Sequence, residues 1–234
     1  MATAIHQQNP HPQKQRQRAP SKRALQSRAR ILDAAERVFA ERGFDGATLR
    51  DIASLAGAPV GLVHHHGGGK EELFRQIVAR RADELSELRL AALEARAAAE
   101  PLTLPSVLEC FFGPYLERAA SGGPQWLAYA RVVAHVSADP RWKEITARHF
   151  DPTAGRFIDA IAALFPQAER RKIATGFVYS VSAMLALLTS RWRIGALNRA
   201  EEDGHAQPVD FENDLRELLA FCAAGIKANA GPAG

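Results

Sequence analysis

The sequence predicts an all-α protein, with a small N-terminal three-helix unit ahead of a larger helical body. Apolar residues recur at helical spacing along most of the chain, and no run alternates as a strand would. Gly and Pro fall between the patterned segments as stops, and no internal repeat is evident.

Residues 1 to about 22 are rich in Gln, Pro, Lys and Arg, with no acid before Asp33, and bury too little apolar surface to fold alone. Lys14, Arg16, Arg18, Lys22 and Arg23 make this segment either a DNA-contacting arm or a solvated tail. The first helix spans about Ala24 to Arg42, with Ile31, Leu32, Ala35, Val38 and Phe39 on one face and Gly43 as its stop. Two short helices follow, joined at Ala56-Gly57-Ala58. Thr48 and Asp51 have capping-box spacing, and Leu49, Ile52, Ala53, Leu55, Val60 and Val63 supply the buried faces. One long helix from Lys70 to about Ala99 carries Leu73, Phe74, Ile77, Val78, Leu85, Leu88 and Leu93, and ends at the proline-bearing EPLTLP segment, residues 100 to 105. Further helices are predicted over about 105–121, 124–138, 140–165, 168–194 and 210–228. Breaks fall at Gly122-Gly123-Pro124, Asp139-Pro140, Asp151-Pro152, Pro166 and Gly204 to Pro208. The organisation is thus an arm (1–22), a helix-turn-helix domain (23–69), a connecting helix (70–99) and a C-terminal domain (100–234).

Two short helices set at a tight corner form a wedge that fits a DNA major groove. Charge supports that reading. Residues 1–81 hold 14 Lys and Arg against 7 Asp and Glu, whereas the remainder holds 16 against 19, a basic head on a mildly acidic body.

The segment RARILDAAERVFAERGFDGATLRDIASLAGAPVG resembles the N-terminal domain of TetR-family transcriptional regulators. The matching residues are Ile31, Leu32, Ala34, Ala35, Phe39, Gly43, Phe44, Thr48, Ile52, Ala53, Ala56, Gly57, Gly61, Lys70 and Leu73, and the match runs over about residues 28 to 75. The body, in segments such as ARVVAHVSADPRWKEITARHF, faintly resembles fatty-acid-responsive members. The resemblance implies that Thr48 and Lys70 touch phosphates, that Arg50 reads a base, and that Pro59, Val60, Gly61 and Leu62 form the recognition face with His64, His65 and His66 as its polar groups. Three positions depart from the family pattern: Pro59 stands for a capping Ser or Thr, His64 for a phosphate-contacting Tyr, and Gly67 for a Phe that staples the recognition helix. Gly67-Gly68-Gly69 therefore predicts a head looser than the family norm.

The resemblance also implies a helical ligand-binding and dimerisation domain. Phe112, Tyr115, Trp126, Tyr129, Arg131, His135, Phe157 and Phe177 are the candidate ligand residues, with Arg131 or His135 suited to a carboxylate or phosphate. Phe177, Val181, Leu185, Leu188 and Trp192 on one amphipathic helix, with Leu215, Leu218 and Cys222 on the next, are the candidate homodimer interface. A palindromic double-stranded operator, with half-sites about 34 to 36 Å apart, asks for the same two-fold symmetry.

Other classes have less support. No Gly-rich phosphate loop follows a strand, and neither a G-x-S-x-G elbow nor an H-E-x-x-H helix occurs, so no enzyme is predicted. The three consecutive histidines diverge by about 100° apiece on a helix, so no metal or other cofactor is expected. Cys110 and Cys222 lack paired spacing and are expected as buried apolar side chains. The N-terminus shows no apolar signal region and no run reaches about 18 to 20 apolar residues, which predicts no membrane and a cytoplasmic protein. The expected function is a repressor released by a small, largely apolar effector. A DNA-bound regulator whose body binds a protein partner is the alternative.

Overall fold

The computed structural model describes residues 21–198 and 210–231, and every regular element among them is helical. Lys14, Arg16 and Arg18 of the arm and the predicted break at Gly204 to Pro208 lie outside the described residues. The helices are α1 (Lys22–Gly46), α2 (Leu49–Ala56), α3 (Val60–Gly67), α4 (Lys70–Ala99), α5 (Leu104–Ser121), α6 (Pro124–Ala138), α7 (Lys143–His149), α8 (Asp151–Leu164), α9 (Arg170–Asn198) and α10 (Phe211–Ala230), with a 3-10 turn at Pro140–Trp142 ahead of α7.

Helix α1 begins where the Ser21 hydroxyl accepts from the Ala24 N–H at 3.3 Å, so Lys22 and Arg23 belong to the helix. Its regular course breaks at Gly43, at φ 67° and ψ 178°. The Thr48 and Asp51 capping box is formed: the Thr48 hydroxyl accepts from the Asp51 N–H at 3.1 Å, and the Asp51 carboxylate accepts from the Thr48 N–H at 3.1 Å. Gly57, at φ 60°, turns the chain, and the Ala58 N–H bonds back to the Ala53 carbonyl at 3.0 Å. Only a residue tolerant of left-handed backbone makes this corner without strain. Ile31, Phe39, Ile52, Val63, Leu73, Phe74 and Ile77 close the core of the head.

Helix α5 is the centre of the body. Val107, Leu108, Phe111, Phe112, Tyr115 and Leu116 are buried, because α4, α8 and α10 pack around it. Helices α9 and α10 meet closely at Gly176, where an added Cβ would lie 2.9 Å from Ile226 Cγ1. Head and body join along α1, which packs on α4 and α6. Arg81 on α4 reaches the fully buried Glu36 of α1, with contacts of 3.3 and 3.5 Å, and Arg80 bonds Asp33 at 2.6 Å.

Among the described residues one helix, α9 over Arg170–Leu197, is apolar and long enough to cross a membrane by length and composition, a test that ordinary core helices also pass. Its charges sit at the ends, at Arg170, Arg171 and Lys172 and at Arg191 and Arg193, and the polar residues between Ile173 and Ser190 are uncharged and dispersed. Only a third of its most apolar stretch is buried, and Val178, Tyr179, Trp192, Ile194 and Leu197 are exposed, as is Phe221 on α10.

Candidate nucleic-acid interface and ligand cavity

Short helices α2 and α3 place the predicted DNA residues on the outside of the head. Thr48, Arg50, Pro59, Val60, Gly61, His64 and His65 are exposed, while Leu62, His66 and Lys70 are half-buried. Pro59 caps α3 through its carbonyl alone, which accepts from the Leu62 and Val63 N–H groups at 2.9 and 3.2 Å; no side chain caps this helix. Thr48 is committed to its cap, where its hydroxyl donates to Asp51 at 2.7 Å and helps hold that carboxyl below the usual Asp range. The Lys70 ammonium lies 4.6 Å above the Phe44 ring and donates to the Asp45 carbonyl at 3.3 Å, which anchors it at the head's edge. Arg50 has no ion pair among the described residues; Asp51 is taken by Arg42 at 2.9 Å.

Other cations stand beside the recognition helix. Arg23 and Arg30 of α1 line a groove with Pro59, Leu62, His65 and His66. Arg30 is exposed on α1 and was not among the residues expected to touch DNA. His65 and His66 approach with ring centroids 5.2 Å apart, and among the described residues no group of three or more His, Cys, Asp or Glu is arranged to hold a metal. Gly67 is buried, and a Cβ there would sit 3.1 to 3.2 Å from Leu73, so Leu73 fills the space beside it.

An aromatic junction ties this head to the body. Trp142, in the 3-10 turn, packs edge-on against Phe44 at 4.8 Å and tilted against Phe74 at 4.5 Å. Beside it the Arg141 guanidinium holds Asp45 through two bonds of 3.0 and 2.8 Å, and it also holds Asp139. Both carboxyls are thereby kept below the usual Asp range, and Arg141 is pushed up.

Within the body lies a cavity of about 480 Å³, lined by residues of α4 to α9. Arg89, Phe111, Tyr115, Tyr129, Phe177 and Met184 form its inner wall, and Thr146, His149 and Phe150 its outer rim. Tyr115 donates to the Trp126 carbonyl at 3.4 Å and Tyr129 to the Val78 carbonyl at 3.0 Å, and burial pushes both phenols well above their ordinary range. His149 contacts Asp83 at 3.2 Å.

The predicted ligand residues divide. Tyr115, Tyr129 and Phe177 line the cavity. Phe112, Trp126 and Phe157 are buried in the wall behind it: Phe157 packs on Phe111 at 5.0 Å, and Trp126 on Tyr115 at 6.1 Å. Arg131 and His135 are exposed, which corrects their assignment. Along α6 the buried side is Tyr129, Val132, Val133 and Val136, and Arg131 and His135 share the opposite face. The lining instead carries Arg89 and Asp151, neither of which was among the expected ligand residues.

The family model described as "Bacterial regulatory proteins, tetR family" matches residues 31–77, and one described as "Tetracyclin repressor-like, C-terminal domain" matches residues 109–225, half of the chain. The chain belongs to the TetR family. It is 41% identical over 73 residues to the HTH-type transcriptional repressor AcnR of Corynebacterium efficiens, covering 30% of this chain and 39% of that one. It is 37% identical over 83 residues to the repressor KstR2 of Rhodococcus jostii, covering 34% and 41%. The chain thus matches about two fifths of the length of these relatives. Solved structures share the TetR fold over most of the chain. A tetR-family regulator from Shewanella sp. PV-4 has TM-score 0.58 at 18% identity, covering 84% of this chain and 95% of that one. The fatty acid degradation regulator FadR from Bacillus halodurans has 0.56 at 14%, covering 82% and 94%.

Within this TetR-family chain the candidate dimer residues also divide. Phe177, Leu185, Leu215, Leu218 and Cys222 are buried inside the protomer, Val181 and Leu188 are half-buried, and Trp192 is exposed. The stripes picked from the sequence are mostly the ones α9 and α10 turn toward their own core. Burial pushes both cysteine thiols up.

Proposed function

We propose that this TetR-family regulator is a repressor that binds a palindromic operator as a homodimer and is released by a small, largely apolar effector held in the body cavity. The observation that carries this reading is the position of the cavity. Its wall includes Ala82, Leu85, Ser86 and Arg89 of α4, and its rim includes Thr146 and His149 of α7. Helix α4 starts two residues after α3, and α7 follows Trp142, which packs on the head. An occupant bears on both elements at once. It shifts the equilibrium only by its different affinity for the DNA-bound and released arrangements, typically about 1 to 3 kcal/mol.

The homodimer surface belongs on the outer faces of α9 and α10, where the large apolar side chains Tyr179, Trp192 and Phe221 are exposed. Arg50 is assigned to a base edge, Thr48 and Lys70 to phosphates, and Val60 and Leu62 to thymine methyls, with His64, His65 and His66 as the polar groups of α3. The cytoplasm is the compartment in which this function operates.

The test is salt-titrated binding of the purified protein to the intergenic DNA upstream of its gene, beside the variant Arg50→Ala. Tight, salt-steep binding, weakened by about 1 to 3 kcal/mol in Arg50→Ala on that sequence and hardly at all on random DNA, supports the reading. Equal weak binding to both DNAs refutes it, and a body that docks a protein partner becomes the better account.

A further inference from the structure

We infer that the effector is a monoanion, a carboxylate on an apolar or aromatic body, and that Arg89 is its counter-ion. This rests on the reading of the cavity as the effector site.

Arg89 enters the cavity from α4. Its guanidinium lies 3.7 Å from the centre of the Phe111 ring, its Nε donates to the Phe111 carbonyl at 2.8 Å, and Nη2 reaches the Met184 sulfur at 3.9 Å, a weak acceptor. A guanidinium carries five N–H donors in a rigid fork, so most of that capacity has no protein acceptor among the described residues. Among the described residues it has no ion pair either. Asp151 lines the cavity and Asp83 approaches it through His149, yet neither bonds Arg89. Desolvation lowers its pKa to about 10, so the group stays charged at neutral pH while poorly solvated. An isolated charge in such a place is costly, and the cost is recovered when a partner anion arrives.

The rest of the wall sets the ligand's form. Phe111, Phe177, Leu85, Ile158, Val181 and Leu185 are apolar, and the two wall tyrosines already donate to backbone carbonyls. One fork meets one carboxylate through two parallel bonds. A phosphate dianion would keep half its charge uncompensated among these side chains, so the carboxylate fits better. A volume of about 480 Å³ accommodates a body of small-drug size.

The experiment is calorimetric titration of the full chain with unbranched C8 to C14 carboxylates and with aryl-alkanoates, each beside its methyl ester, and with alkyl phosphates of the same lengths. The wild-type protein and Arg89→Gln are compared. At least one acid should bind the wild type at least about 30-fold more tightly than its ester and its phosphate counterpart, and Arg89→Gln should remove that preference. Free Arg89→Gln should melt close to wild type, because the relief of a half-buried charge without an ion pair offsets the loss of its stack on Phe111 and its bond to the Phe111 carbonyl. Acids and esters binding equally would overturn the anion assignment and leave the cavity reading standing. Preference for the phosphate would overturn the carboxylate assignment. Absence of binding by every acid, ester and phosphate would overturn the cavity reading and this inference with it. If Arg89→Gln fails to fold, the acid–ester comparison on the wild type still decides.

Discussion

Replacing Arg81 by Met strands the Glu36 carboxylate at the joint between head and body, and the cost should depend steeply on pH. Glu36 is fully buried, and its bonds to Arg81, at 3.3 and 3.5 Å, are long. Burial therefore outweighs Arg81, and the Glu36 pKa lies above its ordinary 4.5. Breaking a buried pair from one side ordinarily costs about 3 to 5 kcal/mol. Here protonation sets a ceiling. Neutralising a carboxyl with an ordinary pKa of 4.5 at pH 7 costs about 3.4 kcal/mol, at about 1.36 per unit, and at pH 5 only about 0.7. A group whose folded pKa is raised favours the fold at low pH and loses that contribution as pH rises through the folded value. Arg81→Met should thus cost less than about 3.4 kcal/mol at pH 7 and less than about 0.7 at pH 5, because the raised pKa of Glu36 already takes up part of that ceiling in the wild type. A further loss, largely independent of pH, of about 0.5 to 1 kcal/mol comes from the Arg81 stack 4.7 Å over Trp126. Urea unfolding at the two pH values, with m-values checked for constancy, reads both. The double variant Glu36→Gln/Arg81→Met should lose the pH dependence. A penalty for Arg81→Met that is equal at pH 5 and 7 would show that Glu36 is not the stranded charge.

Four other outcomes are expected. Thr48→Ala removes the cap of α2 and should cost about 1 kcal/mol in urea unfolding; a change within error would mean that the capping box does not hold α2. Trp142→Ala opens the junction with Phe44 and Phe74 and should cost about 3 to 5 kcal/mol by the same assay. Asp45 and Asp139 are depressed by Arg141, so their contribution is complete above the ordinary Asp range and is lost as pH falls through their folded values; Arg141→Gln should flatten that acid limb of the stability profile. Amide exchange over residues 58–69 should be faster than over 31–40, because α3 has no side-chain cap and ends in a run of three glycines; equal protection would refute a loosened head.

The helical layout was legible because its punctuation is chemical. Gly43, Gly57, Pro124, Pro140 and Pro152 stop, turn or start helices by backbone geometry, and the structure follows them. The cavity was harder to read because periodicity names a buried face without saying what the face encloses. Arg131 and His135 were misjudged although their sequence carries the answer: four residues apart, they fall on the side of α6 away from Tyr129, Val132, Val133 and Val136. Arg89 was missed for the opposite reason. It occupies a position in the stripe Val78, Ala82, Leu85, Leu93, and its charge made it look like the exposed side of a helix rich in Arg and Glu. A cation in register with an apolar stripe is the signal that would have found it. The stripes of α9 and α10 misled because α9 is apolar on two sides, so periodicity selected the side facing its own core.

On the proposed effector reading, two elements run from the cavity to the head and meet at the aromatic junction. Helix α4 carries Arg89 at the cavity and, toward its start, Leu73 beneath Gly67 of α3 and Phe74 in the aromatic junction. The segment from Pro140 to Phe150 carries His149 at the cavity rim and Trp142 against Phe44. If the occupant is an anion with an apolar body, its charge bears on Arg89 of the first element and its body on His149 and Phe150 of the second. If only α4 transmitted the signal, cutting the junction by Trp142→Ala would leave the effector's influence on DNA affinity intact. If both elements act together, Trp142→Ala should preserve effector binding while reducing that influence. The second outcome is expected because Phe74 of α4 and Phe44 of the head both rest on Trp142, so this ring couples the two elements beside the direct contact of Leu73 with α3.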